Sequence, residues 1–326
     1  MLATSYLLAL LAVLLAWPVP VALSRAQWPA RSPFAAMVLW QSIALAGGLS
    51  MIGAMLVYGL SPLGDSLIGA IRRAVTIVLE NEAPDELHFW HLFALSAAAL
   101  LSVHLVFTLL LTYARIVAQR RRHRELLSLL SSPSGALERT WVINHPAPVA
   151  YCLPGGSRSV TVLSDGLMET LAPEELRAVV GHERAHLTQR HHLLLWAFEA
   201  WRSALPWLPT TRLAREAVNA LVEMLADDVA RRTVSDDVLV RAIALVAVGD
   251  VAGGEASAPG RGGGAAPGGG LVTGAFDTDG VDIAGRLSRL LTPRPPLGAG
   301  ATGAVLAASL LLLAAPTVLL VAPGLV

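Results

Sequence analysis

The sequence has no lysine, and all 24 of its basic residues are arginine. A phosphate-cradling loop of the Gly-Lys-Ser/Thr type is therefore impossible, which excludes an ATP-driven membrane protease. The single cysteine, Cys152, excludes an intrachain disulfide and a cysteine-ligated zinc site. Charged residues are only 15% of the chain and cancel to a net +0, which argues against direct nucleic-acid binding. What remains is apolar. Of 326 residues 54% are hydrophobic, and the mean hydropathy is +0.59, the composition of a membrane protein.

Four stretches are apolar enough, and long enough, to span a bilayer: about 2–23, 34–60, 88–117, and 299–321 within a segment 298–322. The first lacks the basic start of a signal peptide and is expected to be retained. Gln41, Gly47, Gly48 and Gly53 in the second suggest close helix contacts. Residues 67–79 are expected to form a short helix along the membrane surface. Arg25 and Arg31, with Arg120, Arg121, Arg122 and Arg124 after the third span, place both termini outside and the region after that span in the cytoplasm. His88, His91 and His104 are expected to be hydrogen-bonded core or interface groups without a functional role.

The domain plan is three spans in 1–118, a cytoplasmic domain in 119–295 and the fourth span. Within the cytoplasmic domain 141–144 reads as a strand, and 149–153 with 159–163 as a hairpin around a glycine turn. A sheet edge there could hold a substrate strand by backbone pairing. Residues 253–270, rich in Gly, Ala and Pro, read as a flexible linker, and 282–291 as a short helix bearing Arg286 and Arg289. The apolar segment 192–208 is read equally well as a bilayer contact or a buried core helix.

The chemistry centres on Gly181-His182-Glu183-Arg184-Ala185-His186. Pro173 with Glu174 and Glu175 signals a helix start, and no proline and no glycine after Gly181 follows until Pro206, so one long helix is expected to carry the motif. Histidines four apart share a helix face and can reach one metal ion, whereas Glu183 sits on the neighbouring flank, within reach of a water it can deprotonate. A second helix, 211–233, carries Asn219, Glu223 and Asp227 at successive spacings of four among apolar residues. Buried carboxylates need partners. Glu223 as third metal ligand, with Asp227 and Asn219 behind the ligands, would complete a two-His, one-Glu site with a fourth position open. The plain alternatives are solvated surface histidines, and salt bridges of Glu223 or Asp227 with Arg215 or Arg231. Arg231, His191 and His192 are unranked candidates for stabilising an oxyanion.

The whole resembles the BlaR/MecR-type membrane metallopeptidases. The most specific stretches are 150–155, Val162-Leu163-Ser164-Asp165-Gly166-Leu167, Glu174-Glu175-Leu176, the motif itself and Arg190-His191. The motif portion is shared with CAAX prenyl proteases and bacterial heat-shock membrane proteases, whose Glu-x-x-Ala-Asp pattern matches Glu223 to Asp227. The resemblance implies zinc (Zn2+) on His182, His186 and Glu223, with Glu183 as base and Asp227 behind the ligands, in a zincin-like α+β domain of the gluzincin type. It also implies a cytoplasmic transcriptional repressor as substrate, cleaved in a signalling pathway. Antibiotic-sensing relatives carry a penicillin-binding domain after the last span; none follows here, so direct beta-lactam sensing is not expected.

The expected fold is thus membrane α-helical, with four transmembrane helices and a cytoplasmic metallopeptidase domain. Expected partners are membrane lipid and a protein or peptide substrate, with homodimerisation left open. A broad quality-control protease is the rival enzyme. A non-catalytic scaffold stabilised by zinc is the rival of another class, although a structural site is normally closed by four protein ligands. An intramembrane protease is disfavoured because Arg177, Glu183, Arg184 and Arg190 make the motif helix too charged for lipid.

Overall fold

The structure is a computed structural model and describes residues 1–81, 85–133, 139–155, 159–256 and 280–321. Its elements are helices α1 (Leu2–Ala16), α2 (Pro18–Ser24), α3 (Pro33–Leu60), α4 (Leu67–Leu79) and α5 (Phe89–Leu130), then strands β1 (Ser131–Pro133), β2 (Thr140–Ile143), β3 (Ala150–Leu153) and β4 (Val160–Ser164), then helices α6 (Asp165–Thr170), α7 (Pro173–Thr188), α8 (His191–Ala204), α9 (Pro209–Ala230), α10 (Asp236–Ala256), α11 (Gly280–Leu291) and α12 (Ala299–Val321). Backbone packing divides the chain into two units. One is Met1–Leu110 with Phe198–Val218 and Pro296–Val326; the other is Leu111–Ala197 with Asn219–Pro295.

Four helical stretches are long and apolar enough to cross a membrane: Leu2–Ser24, Pro33–Leu63, Phe89–Leu129 and Ala299–Val321. The first is interrupted at Trp17, where Pro18 and Pro20 remove backbone donors that a continuous helix would use. At 42 residues α5 is about 63 Å long, roughly twice the ~30 Å hydrocarbon core, so it runs well beyond an apolar crossing. In the first unit α3 packs on α1 and α12. The Ser5 hydroxyl donates to the Ala54 carbonyl at 3.0 Å. His104 Nε2 lies 2.9 Å from the Ala204 carbonyl, the kind of structural bond expected of that histidine. Phe198, Ala200, Ala204 and Leu205 are buried in the same unit. A Cβ on Gly48 would meet the Trp201 ring at 2.7 Å, so glycine lets this segment approach α3. The latter half of the ambiguous 192–208 stretch is therefore packed against the apolar helices, although Trp207 is 70% exposed.

The second unit holds a four-stranded sheet of order β1-β2-β4-β3. β3 and β4 are antiparallel, with Tyr151 opposite Val162, which is the expected hairpin. β2 runs parallel to β4, and β1, which no strand signal announced, pairs antiparallel with β2. Among the described residues β3 is an edge strand, and α7 packs beside it.

The resemblance-bearing Ser164-Asp165-Gly166 run has a plain structural duty. Ser164 Oγ caps α6 by accepting from Leu167 N–H at 3.1 Å and donates to the Ala147 carbonyl at 2.7 Å. Asp165 Oδ1 accepts from His145 N–H at 2.7 Å. A Cβ on Gly166 would lie 2.0 Å from the Pro146 carbonyl oxygen, so only glycine allows the loop to lie on the start of α6.

Two expectations are corrected. The motif helix does not run on to Pro206. α7 ends at Thr188, Arg190 adopts a left-handed φ of 53°, and α8 begins at His191. No glycine marks this break; the side-chain bonds of Gln189 and His191 described below hold it. The expected linker begins late, because 253–256 still belong to α10; the rest of it, 257–270, lies outside the described residues.

Candidate metal centre

Pro173 opens α7 where its missing N–H is no loss, and Glu175 turns back to accept from the Ala172 N–H at 2.9 Å. Ala178 and Val179 bury one face of the helix in a core shared with Leu163, Leu167, Leu239 and Ile243. This packing fixes the roll of α7 and carries His182 (0% exposed) and Glu183 (1%) inward. On α9 the buried Val218, Leu221, Val222, Ala226 and Ala230 do the same for Glu223 and Asp227. Three carboxylates and one imidazole are therefore buried here with almost no access to water.

His182 Nε2 lies 3.2 Å from His186 Nε2 and 3.3 Å from Glu223 Oε2, and His186 Nε2 lies 3.5 Å from Glu223 Oε1. Ligand atoms about 2.0–2.1 Å from a tetrahedral zinc stand about 3.3 Å from one another. The three side chains thus already have the spacing of three corners around such an ion, and they are the group able to hold a metal among the described residues. Glu223 Oε2 is buried, with His182 Nε2 and Arg286 Nη1 each 3.3 Å away, and faces the two imidazoles as a negatively charged donor atom for a metal.

The hydrogen-bond network also assigns the tautomers. Asp227 Oδ1 accepts from His182 Nδ1–H at 2.9 Å, which leaves Nε2 facing the cluster. Gln189 Oε1 accepts from His191 Nε2–H at 2.8 Å, so His191 Nδ1 accepts from His186 Nδ1–H at 3.1 Å. His186 Nε2 is then also free to ligate. His191, entertained above as an oxyanion stabiliser, stands behind His186 instead; Arg231 is engaged with Asp236 at 2.7 Å and Asp228 at 3.7 Å. Asn219, expected behind the ligands, is half-buried and shows no hydrogen bond to the cluster among the described residues.

A partner that the sequence reading left without a role completes the site. Arg286 on α11 is fully buried; its Nε donates to Asp227 Oδ2 at 2.9 Å and its Nη2 to Asp227 Oδ1 at 2.7 Å, with Nη1 3.3 Å from Glu223 Oε2. Three residues on, Arg289 Nη2 donates to Asp228 Oδ2 at 2.8 Å. The available signal was the pairing of two arginines at i and i+3 with two adjacent acids, Asp227 and Asp228, across a long separation.

Protonation follows from this arrangement. Burial pushes His186 down to about 3 and His191 to about 4, so both are neutral near pH 7. Burial also works against a charge on His182, but its hydrogen bonds to Asp227 and Glu223 prevail and raise it to about 9. Asp227 is held far below the usual carboxylate range: burial opposes this, and the bonds from His182 and Arg286 outweigh it. Burial first, then the Glu183 charge, pushes the Cys152 thiol up to about 12, which sets the Glu183 carboxylate near β3. In the metal-free protein a proton on His182 therefore stands where a metal would. Metal uptake near pH 7 is expected to release it, and apparent zinc affinity should climb about tenfold per pH unit from pH 7 until it levels near pH 9. Chelator competition across that range checks this; a flat profile would show that His182 is already neutral.

Residues 117–247 match peptidase family M48, whose members are metal-dependent, typically with zinc. The match takes in all of α7 and α9 and the first part of α10, with His182, His186 and Glu223, and it points to a metallopeptidase. Its level is coarser than the BlaR/MecR grouping. Arg286 lies beyond the matched segment. No solved structure matches the chain.

Proposed function

We propose that the chain is a membrane-embedded zinc endopeptidase that cleaves a cytoplasmic regulatory protein, such as a transcriptional repressor, in a signalling pathway. The observation that carries the catalytic part is the convergence of His182 Nε2, His186 Nε2 and the Glu223 carboxylate at 3.2–3.5 Å, each oriented by a further group. The family match supports the peptidase class, and the long apolar helices support the membrane location. The repressor rests on the BlaR/MecR resemblance. The arginine-rich end of α5 supports a cytoplasmic site with both termini outside.

His182, His186 and Glu223 would hold the ion. Bound zinc supplies Lewis-acid polarisation of a carbonyl and makes water easier to deprotonate. Glu183 takes a proton from the attacking water at its carboxylate and later gives it to the leaving amine nitrogen. Asp227 and His191 keep both imidazoles in the ligating tautomer, and Arg286 offsets the charge of the two buried acids. β3, an edge strand among the described residues and next to α7, is the strand with which extended substrate would pair.

The test is zinc content of the purified full chain beside Glu223→Ala, with casein and a candidate repressor as substrates. Zinc near one per chain should fall at least tenfold in Glu223→Ala, and cleavage should vanish with it. Full zinc retention in the variant would remove Glu223 from the site and sink the reading.

A further inference from the structure

We infer that the far end of α5 and the start of α8 form a binding site for the phosphate headgroup of an anionic phospholipid. Three donors carry the inference. Arg120 Nε, His192 Nδ1 and Trp196 Nε1 are shielded from water and have no hydrogen-bond partner among the described residues. Arginine Nε and indole Nε1 can only donate, and a neutral imidazole can present N–H at Nδ1. Buried donors are ordinarily paired, so three unpaired ones in one neighbourhood point to an acceptor-rich ligand.

That they share a neighbourhood follows from the helices. The Tyr113 and Trp196 rings lie 5.1 Å apart between centroids, which sets α5 against α8. Two turns onward from Tyr113 is Arg120, and one turn back from Trp196 is His192. Burial lowers His192 to about 4, with the charges of Arg120 and Arg190 adding to the effect, so His192 stands among cations. Arg121, Arg122 and Arg124 follow on α5. Arg124 Nη2 donates to the Pro154 carbonyl at 2.7 Å, while its Nε, like that of Arg120, has no hydrogen-bond partner among the described residues.

The ligand must then be negative and rich in acceptors, which describes a phosphodiester. Its source is set by position: the donors begin where the apolar run of α5 ends, and the Tyr113–Trp196 pair has the amphipathic character of residues at headgroup level. Arginines immediately past a span favour anionic over zwitterionic lipid. None of the three donors belongs to the metal cluster, and the inference does not depend on the peptidase reading.

Native mass spectrometry of the full chain in detergent, with phosphatidylglycerol, phosphatidylcholine or inorganic phosphate added, tests it. Wild type should retain one phosphatidylglycerol at least tenfold more than phosphatidylcholine. Arg120→Gln with Trp196→Phe should lose that preference. Trp196→Phe alone, which keeps the ring beside Tyr113 and removes the N–H, should weaken retention several-fold without moving the thermal midpoint. Arg121→Gln makes the same charge change at an exposed position and should retain the lipid. Equal loss in Arg121→Gln would show diffuse attraction to a basic surface and overturn the site. So would unchanged retention in the double variant, or binding of inorganic phosphate without phosphatidylglycerol.

Discussion

Replacing Glu183 by glutamine is expected to leave zinc at the wild-type level and to cut peptide hydrolysis by about 10²–10⁴-fold, the usual range for a lost general base. Glutamine matches the volume of glutamate, which matters at a side chain only 1% exposed, so the packing of α7 is kept. The three side chains grouped for a metal are His182, His186 and Glu223, and none of them is altered. What is lost is the ability to take a proton from water and return it to an amine. Cys152 offers an internal reporter, because the Glu183 charge is the second cause, after burial, that holds its thiol up to about 12. In the variant the thiol should alkylate faster at a given alkaline pH. Zinc content, casein cleavage and alkylation rate together check the assignment. Loss of zinc would make Glu183 a ligand, and retained cleavage would remove it as the base.

The sequence carried most of this site because its chemistry is written in local spacing. His182 and His186 share a helix face by their separation alone, and Glu223 and Asp227 stand out as acids in an apolar helix. Hydropathy likewise marked the four long apolar helices, and alternation with a glycine turn marked the β3–β4 hairpin. What could not be read was held by tertiary contacts. The break after Thr188 has no glycine or proline; it depends on His191 reaching both Gln189 and His186, a contact that exists only once the chain has turned. Asn219 fell on the same polar line as Glu223, yet a line of spacing does not say how far each side chain reaches. Arg286 lay 59 residues beyond Asp227 and past an extended Gly-rich stretch, so nothing local joined the two.

Exchange of Arg286 for methionine is therefore expected to be among the most damaging substitutions outside the ligands themselves. Methionine fills similar space but leaves Asp227 and Glu223 without the cation that meets them at 2.7 and 3.3 Å. Breaking a buried pair in this way costs about 3–5 kcal/mol, since the remaining charge stays buried. Loosening Asp227 also loosens His182, and loss of such a support typically lowers metal affinity about 10–100-fold. Lysine should rescue only part of this, because it supplies the charge without the two parallel N–H donors. The pH dependence has a definite sign. A carboxyl whose folded pKa is depressed contributes stability above its unfolded value of about 3.9 and loses it as pH falls through the folded value. The Asp227 contribution, with Arg286 as one of its causes, is therefore present at neutral pH. The gap in thermal midpoint between wild type and Arg286→Met should be full above about pH 4 and narrow below it. Thermal melts from pH 3 to 7, with zinc affinity by chelator competition, decide the matter. An unchanged midpoint and unchanged zinc affinity in Arg286→Met would mean that α11 merely rests on the domain; the expected double loss would make it a working part of the metal centre.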